Sequence, residues 1–344
     1  MALTLEREDL AALTSGFTLL GSGGGGSPHL AALILDSSGH WPISVYDIGE
    51  LDPARPCVAV GYAGATLLME ERLPETAPFE MAIAAVERWL GNNSSVICML
   101  EGAGINGMAP LHLAQSHDVV DADCMGRALP DLDQTTVLVD GLPGIVAAVP
   151  TGGGGVALVH DARPPDVERV IRNAIICNGG WAGIALGGFT VGDLPRHAIA
   201  GTLRRALTLG RTLLGATESS PAQAAKVIGG EVLGVGRVVE VRDEPGPSGL
   251  SSFDMRTAAG DVVRLVAGSE FLAVVANGSV VAASPTIIVV LDAASRTPLE
   301  VDEVGVAKDL IVLSMPAPAW WHDRPHRLSR VDPAHWGIEG LEEA

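Results

Sequence analysis

The sequence is poor in cysteine, aromatic side chains and lysine. The only cysteines are Cys57, Cys98, Cys124 and Cys177, and no two form a C-x-x-C pair. That scatter argues against a structural zinc site and a disulfide framework. Aromatic residues make up 4% of the 344 residues, against 42 glycines, so the core must close through small residues and tight backbone approach. Lysine occurs only at 226 and 308, no Lys/Arg cluster is present, and the formal net charge is −19. Such a chain repels phosphate backbones, which excludes nucleic acid as a natural partner. The start, MALTLEREDL, is acidic and lacks a basic-apolar leader. The uncharged run 173–192 carries six glycines and two asparagines, which favours a buried helix and turn over a membrane span. A cytoplasmic protein without membrane contact is expected. H-E-x-x-H, G-x-S-x-G and P-loop motifs are missing as well. His322 and His326 have i,i+4 spacing, but Pro325 between them opposes an aligning helix.

What the sequence does contain begins at residues 19–29, LLGSGGGGSPH. Gly23, Gly24, Gly25 and Gly26 stand before an apolar helix-like run. Ser27 and Pro28 read as an N-cap and a first-turn proline. Bare amides at a helix start suit an anion. Gly21, Gly23 and Gly26 match G-x-G-x-x-G, but no acidic residue closes a following strand, so this is not a dinucleotide fingerprint.

Downstream, Thr4 is placed to cap a short helix ended by Gly16. Apolar runs at 43–48, 57–62, 96–100 and 119–120 read as strands, and 79–90 and 108–116 as helices. This alternation predicts a largely parallel or mixed sheet covered by helices, with ligands beyond the strands' carboxyl ends. Segments 136–139 and 145–149 read as further strands, separated from the next by a second glycine run, Gly152 to Gly155. Helices are expected at 165–176 and 194–214, with a linker at 219–221. Short strands then follow at 235–241, 252–256, 261–266, 271–275, 279–283, 287–291 and 310–313. Asn277-Gly278 gives a strong hairpin signal, and the last part is expected to be barrel-like. The expected organisation is an α/β domain over 1–162 and a mainly β, α+β domain over 163–344.

Two polar clusters carry candidate chemistry. In 120–130, VDADCMGRALP, Asp121 and Asp123 share a strand face and must share a proton, hold a metal or meet a cation. Arg127 could be that cation; a solvated acid pair with a surface salt bridge is the alternative. In 101–107, EGAGING, Glu101 is a base, a metal ligand or a hydrogen-bond acceptor, unless it serves only the next helix's N-terminus, with Asn106 as that helix's cap. Cys177 is a nucleophile or a small buried hydrophobe.

The combination of LLGSGGGGSP, GYAGA followed by Glu71-Arg72, EGAGINGMAPL and VDADCMGRALPDL resembles the S-methyl-thiohydantoin desulfurase family. The likeness continues through GSEFLAVVANGSVVAASPTIIVVLD and PAPAWW…DPAHWG, so it covers nearly the whole chain. Departures fall at Cys124, where glycine is usual, at Ala103, at Ser269 and at Thr286. The resemblance implies a hydrolase that adds water to the sulfur-bearing ring carbon of a small heterocycle and releases methanethiol. Asp121 or Asp123 would be base or ligand of a divalent metal, if one is bound. Arg127 would orient them or bind a substrate carboxylate. Glu101 and Asn106 would hold the ring amide. Gly23 to Gly26 and Ser27 would hold an anionic substituent, with Glu71 nearby. A hydantoinase-type accessory subunit and a non-catalytic binding module are the alternatives; a homo-oligomer or association with hydantoinase-type proteins is compatible with the sequence.

Overall fold

The computed structural model describes residues 2–65, 68, 77–215, 220–243 and 249–338. Glu71 and Ser219 lie outside the described residues. The first sheet contains β1 (Leu3–Leu5), β2 (Ile43–Tyr46), β3 (Pro56–Gly64), β4 (Val96–Met99), β5 (Asp118–Asp123), β6 (Val146–Pro150), β7 (Val156–His160), β8 (Trp181–Thr190) and β9 (Ile199–Ala200). Their order is β1-β2-β5-β4-β3-β8-β6-β7, with β9 beside β5. The central run β2, β5, β4, β3 is parallel, and the flanking pairings are antiparallel. The sheet is therefore mixed, and it draws strands from both sides of residue 162.

Period-two alternation buries both faces of the central strands. Val58, Val60, Ile97 and Met99 join one apolar core, while Cys57, Ala59, Val96 and Cys98 join the other. The first core takes in helices Leu10–Leu20, Ala77–Leu90 and Thr202–Leu214. The second takes in helix Pro164–Cys177 through Val167, Ile171 and Ile175.

A second, wholly antiparallel sheet follows: β10 (Glu231–Asp243), β11 (Ser251–Thr257), β12 (Val262–Ala267), β13 (Phe271–Ala276), β14 (Ser279–Ala283), β15 (Ile287–Asp292) and β16 (Asp309–Met315). They run in the order β14-β13-β12-β11-β10-β16-β15. Register shifts in β10 at Val238/Glu240 and Val232/Gly234 help the sheet curl. Ile288, Val290, Leu310 and Val312 fill the curl. Their neighbours Ile287, Val289, Leu291, Ile311 and Leu313 join the first domain's core instead, so alternation along two strands ties the domains together. Asn277 and Gly278 both take positive φ, 50° and 83°, at the β13–β14 hairpin.

Several expected elements differ. Thr136–Val139 is a helical turn, because Val137 and Leu138 reach the core while the Thr136 amide donates to the Cys124 carbonyl. The 194–214 helix is broken: Ile199 and Ala200 pair with β5, and Gly201, at φ 80°, turns the chain into the helix that begins at Thr202. The run 173–192 ends one helix and then forms β8. Residues 104–113 form one short α turn followed by a 3-10 helix. Leu5 belongs to β1, and Gly16 lies inside helix Leu10–Leu20. The first glycine run joins two helices rather than following a strand. Helix His29–Ser37 starts after Pro28, and Ser27 Oγ accepts from the His29 amide at 3.4 Å.

Gly16 and Gly210 let helices Leu10–Leu20 and Thr202–Leu214 touch backbone to backbone. A Cβ at Gly210 would lie 1.7 Å from the Ala12 carbonyl oxygen, and one at Gly16 would lie 1.8 Å from that of Ala206. Alanine at Gly210 gains about 1 kcal/mol of helix propensity, but the collision overpacks a rigid backbone contact at a cost of about 3 kcal/mol, which should leave a net loss of about 2 kcal/mol. The urea midpoint of Gly210→Ala reports this; a midpoint equal to or above that of the parent would contradict it.

Candidate active site between the two domains

At the carboxyl ends of β3 and β4 lies a cavity of about 160 Å³. Its walls include Tyr62 to Gly64, Glu101, Asn106, the 129–132 turn, Glu168 and Arg172 of helix Pro164–Cys177, and Ser269 and Glu270 from the start of β13. Gly25 lines the same space.

Glu101 emerges just past β4 and is 6% exposed. Asn106 fixes it: its Nδ2 donates to Glu101 Oε1 at 3.2 Å and to the Tyr62 carbonyl at 3.0 Å, while its Oδ1 accepts from the Tyr62 amide at 2.5 Å. Asn106 thus clips the end of β3 to the carboxyl instead of capping a helix. The Leu129 amide donates to Glu101 Oε2 at 3.4 Å. Burial pushes the Glu101 carboxyl up to about 8, and the neighbouring Glu270 charge adds to the rise. Glu270 is 4% exposed, accepts from Ser269 Oγ at 2.8 Å, and is pushed by burial up to about 7. The two domains therefore place one reluctant carboxyl each on one cavity.

The glycine run is the joint between them. A Cβ at Gly24 would lie 2.4 Å from Glu270 Cγ, and one at Gly25 would lie 3.0 Å from Glu101 Oε1. Any side chain here would push into a carboxyl group, and Gly25 also needs φ 78°. The carbonyls of Gly25 and Gly26 accept from the Ile105 amide, and the Gly23 carbonyl accepts from that of Val301. Just upstream, Ser22 Oγ donates to the Ile288 carbonyl at 3.0 Å, and the Ser22 carbonyl accepts from the Phe271 amide at 2.8 Å. Of Gly23 to Gly26 and Ser27, only Gly25 reaches the cavity wall.

Arg127 is wholly buried and holds three carbonyls: Ala128 through Nε at 2.9 Å, Thr286 through Nη1 at 2.6 Å and Phe271 through Nη2 at 3.0 Å. It clamps the domains and does not pair with Asp121 or Asp123. Burial lowers its guanidinium to about 10, leaving a cation whose field reaches Glu270 and Glu101.

Asp121 and Asp123 do share a face, but what they meet is the start of helix Thr202–Leu214. The Leu203 and Arg204 amides donate to Asp121 at 2.7 and 3.2 Å. Asp123 accepts from the amides of Gly102 at 3.2 Å, Met125 at 2.7 Å and Gly126, and from Thr202 Oγ1. Each of their four oxygens already accepts a hydrogen bond, and neither residue lines the cavity. Among the described residues, the ligand-type atoms that converge within 4.8 Å belong instead to Asp131, Asp133 and His335, where Arg330 already pairs with Asp133 at 2.7 Å. The Cys124 thiol, in contact with Cys98 and buried, is held well above the usual thiol range. Cys177 is exposed at the end of its helix.

Family models for S-Me-THD-like proteins match residues 8–161, as the N-terminal domain, and 162–342, as the C-terminal domain. The chain belongs to the S-Me-THD-like family. A crystal structure of a protein from Chromobacterium violaceum shares the fold, with a TM-score of 0.81 over 99% of each chain at 21% identity. No curated protein matches. Among the described residues of this S-Me-THD-like chain, no helix is long and apolar enough to cross a membrane.

Of the residues singled out in the sequence, Glu101, Asn106 and Gly25 line one cavity, while Asp121, Asp123 and Arg127 do not. Sequence reasoning missed Glu270, Asp131, Glu168 and Arg172. The available signal for Glu270 was an acid directly before a fully apolar strand, FLAVVA, where a surface charge would be out of place.

Replacing Asp123 by alanine leaves the buried Gly102, Met125 and Gly126 amides without their acceptor. The variant should lose about 2–3 kcal/mol of stability, read as a lowered thermal midpoint. Parental stability with abolished turnover would return Asp123 to the chemistry.

Proposed function

We propose that this chain is a hydrolase that replaces the thiomethyl group of an S-methyl-thiohydantoin-like ring with oxygen, releasing methanethiol. The observation that carries this reading is the pair of buried carboxyls, one from each domain, on the wall of one cavity, which burial makes weaker acids than usual. The family membership supports the substrate type.

Such a reaction needs a base for water and an acid for the ring nitrogen. Glu270 loses its proton first and serves as the base. Glu101 keeps its proton and serves as the acid. Water attacks the ring carbon as Glu270 takes one of its protons and Glu101 protonates the ring nitrogen. The carbon–sulfur bond then breaks. The new hydroxyl returns its proton to Glu101 while it becomes the carbonyl, and the departing thiolate takes the proton held by Glu270. Both carboxyls end as they began. The Arg127 charge favours the ionised state of Glu270, and Asn106 holds Glu101 in place.

The rate should follow a narrow bell in pH. It climbs as Glu270 ionises through about 7 and falls as Glu101 ionises through about 8. Thiol release from an S-methyl-thiohydantoin, followed across pH, tests this. Glu270→Gln should lower kcat by at least about 100-fold while the protein stays folded. A Glu270→Gln variant with parental turnover, or a flat profile, would contradict the assignment.

A further inference from the structure

Glu270 has its hydrogen-bond partner at the tip of a hairpin. Strands β12 and β13 pair as far as Ala267 and Phe271, and Gly268, Ser269 and Glu270 make the turn, where the Gly268 amide donates to the Glu270 carbonyl at 3.0 Å. The glycine run grips this tip. A Cβ at Gly24 would lie 2.6 Å from the Ser269 carbonyl oxygen, 2.4 Å from Glu270 Cγ and 2.9 Å from Glu270 Oε1. One carboxyl oxygen of Glu270 thus rests against backbone. The other, Oε2, accepts from Ser269 Oγ at 2.8 Å, and among the described residues that hydroxyl is its hydrogen-bond donor. Ser269 also lines the cavity, and unlike Glu270 it is exposed.

The charges that face Glu270 come from several elements. Glu101 stands past β4, Arg127 and Asp131 lie on the segment after β5, and Glu168 and Arg172 come from helix Pro164–Cys177. Both cations also face other acids: Arg127 reaches Glu101, and Arg172 pairs with Glu168. Charge alone therefore does not single out which carboxyl ionises first. The hydrogen bonds differ more. The bond from Ser269 has the common length for a hydroxyl donor, while those to Glu101, 3.2 Å from Asn106 and 3.4 Å from the Leu129 amide, fall at or beyond the long end for N–H donors.

We propose that Ser269 is a positioning residue that makes Glu270, and not Glu101, the base of the site. Its hydroxyl donates to the ionised carboxylate and is able to accept from the acid once Glu270 has taken the proton of water. A partner of that kind suits a carboxyl that takes a proton and gives it back within one turnover. The inference rests on the reading of this cavity as a hydrolase site.

The test compares Ser269→Ala with Ser269→Thr in the full chain. Both replace a neutral, exposed side chain by another neutral one, so every charge around Glu270 stays. Infrared titration of the buried carboxylic acid band reads Glu270 without substrate, and Glu270→Gln marks which step belongs to it. In Ser269→Ala the Glu270 step should move up by about 0.5–1 pH unit, and the Glu101 step should move less. The rising limb of kcat/KM for thiol release should move up with it, which a merely structural role would not cause, and Ser269→Thr should restore both. A Glu270 step unmoved in Ser269→Ala, or moved equally in Ser269→Thr, would overturn the proposal. Thiol release by the parent protein with that step unmoved in Ser269→Ala sinks this inference alone. The shift in a protein that releases no thiol sinks the hydrolase reading, while the hold of Ser269 on Glu270 stands.

Discussion

Two carboxyl groups lie against consecutive glycines that leave no room for a side chain, and the rest of the structure serves that contact. Gly24 meets Glu270 and Gly25 meets Glu101. The first residue belongs to the loop's contact with the second domain, the second to its contact with the first. The mixed sheet delivers Glu101 at the end of β4, and the curled antiparallel sheet delivers Glu270 at the start of β13. A Cβ at either glycine would drive the carboxyls apart or the domains open. The loop's value is the distance it permits between two elements that each supply half of a site.

Burying such a pair is costly, because burial disfavours both charges. Arg127 offsets part of this. It remains a cation in the interior, and its three carbonyl partners come from both domains. It therefore sets the domain spacing and the local field at once. Asp121 and Asp123 do a parallel task one layer back. Asp121 satisfies the Leu203 and Arg204 amides at the start of helix Thr202–Leu214, and Asp123 accepts from the Thr202 hydroxyl; that helix's close crossing with helix Leu10–Leu20 fixes where the glycine loop begins. Acids that look catalytic in sequence here secure a helix start and a turn instead.

The second domain's strands were legible because each is a short apolar run bounded by turn residues, and Asn277-Gly278 takes the conformation its chemistry favours. Glu101 could be placed at the site's edge because a parallel sheet collects its strand ends, whereas the glycine run joins two helices and reaches that edge by a route its composition does not show. Other features depended on partners far along the chain. Nothing near Asp121 announces Leu203, and nothing near Gly24 announces Glu270. The 136–139 segment is too short for its period to distinguish strand from helix. The 194–214 segment was read as one helix because a single glycine at φ 80° does not disturb an apolar pattern. The glycine run illustrates the same limit. Its composition shows that something must come close, and only the tertiary structure shows that the close neighbours are carboxyl groups.

The account stands on two carboxyls that ionise in the neutral range, one before the other. Infrared spectroscopy of the folded protein reads this directly through the carbonyl band of a protonated, buried carboxylic acid. Between about pH 6 and about pH 9 that band should fade in two steps, and Glu101→Gln should remove the later one. A spectrum with no protonated carboxyl band at neutral pH, or one unchanged by Glu101→Gln, would contradict the account.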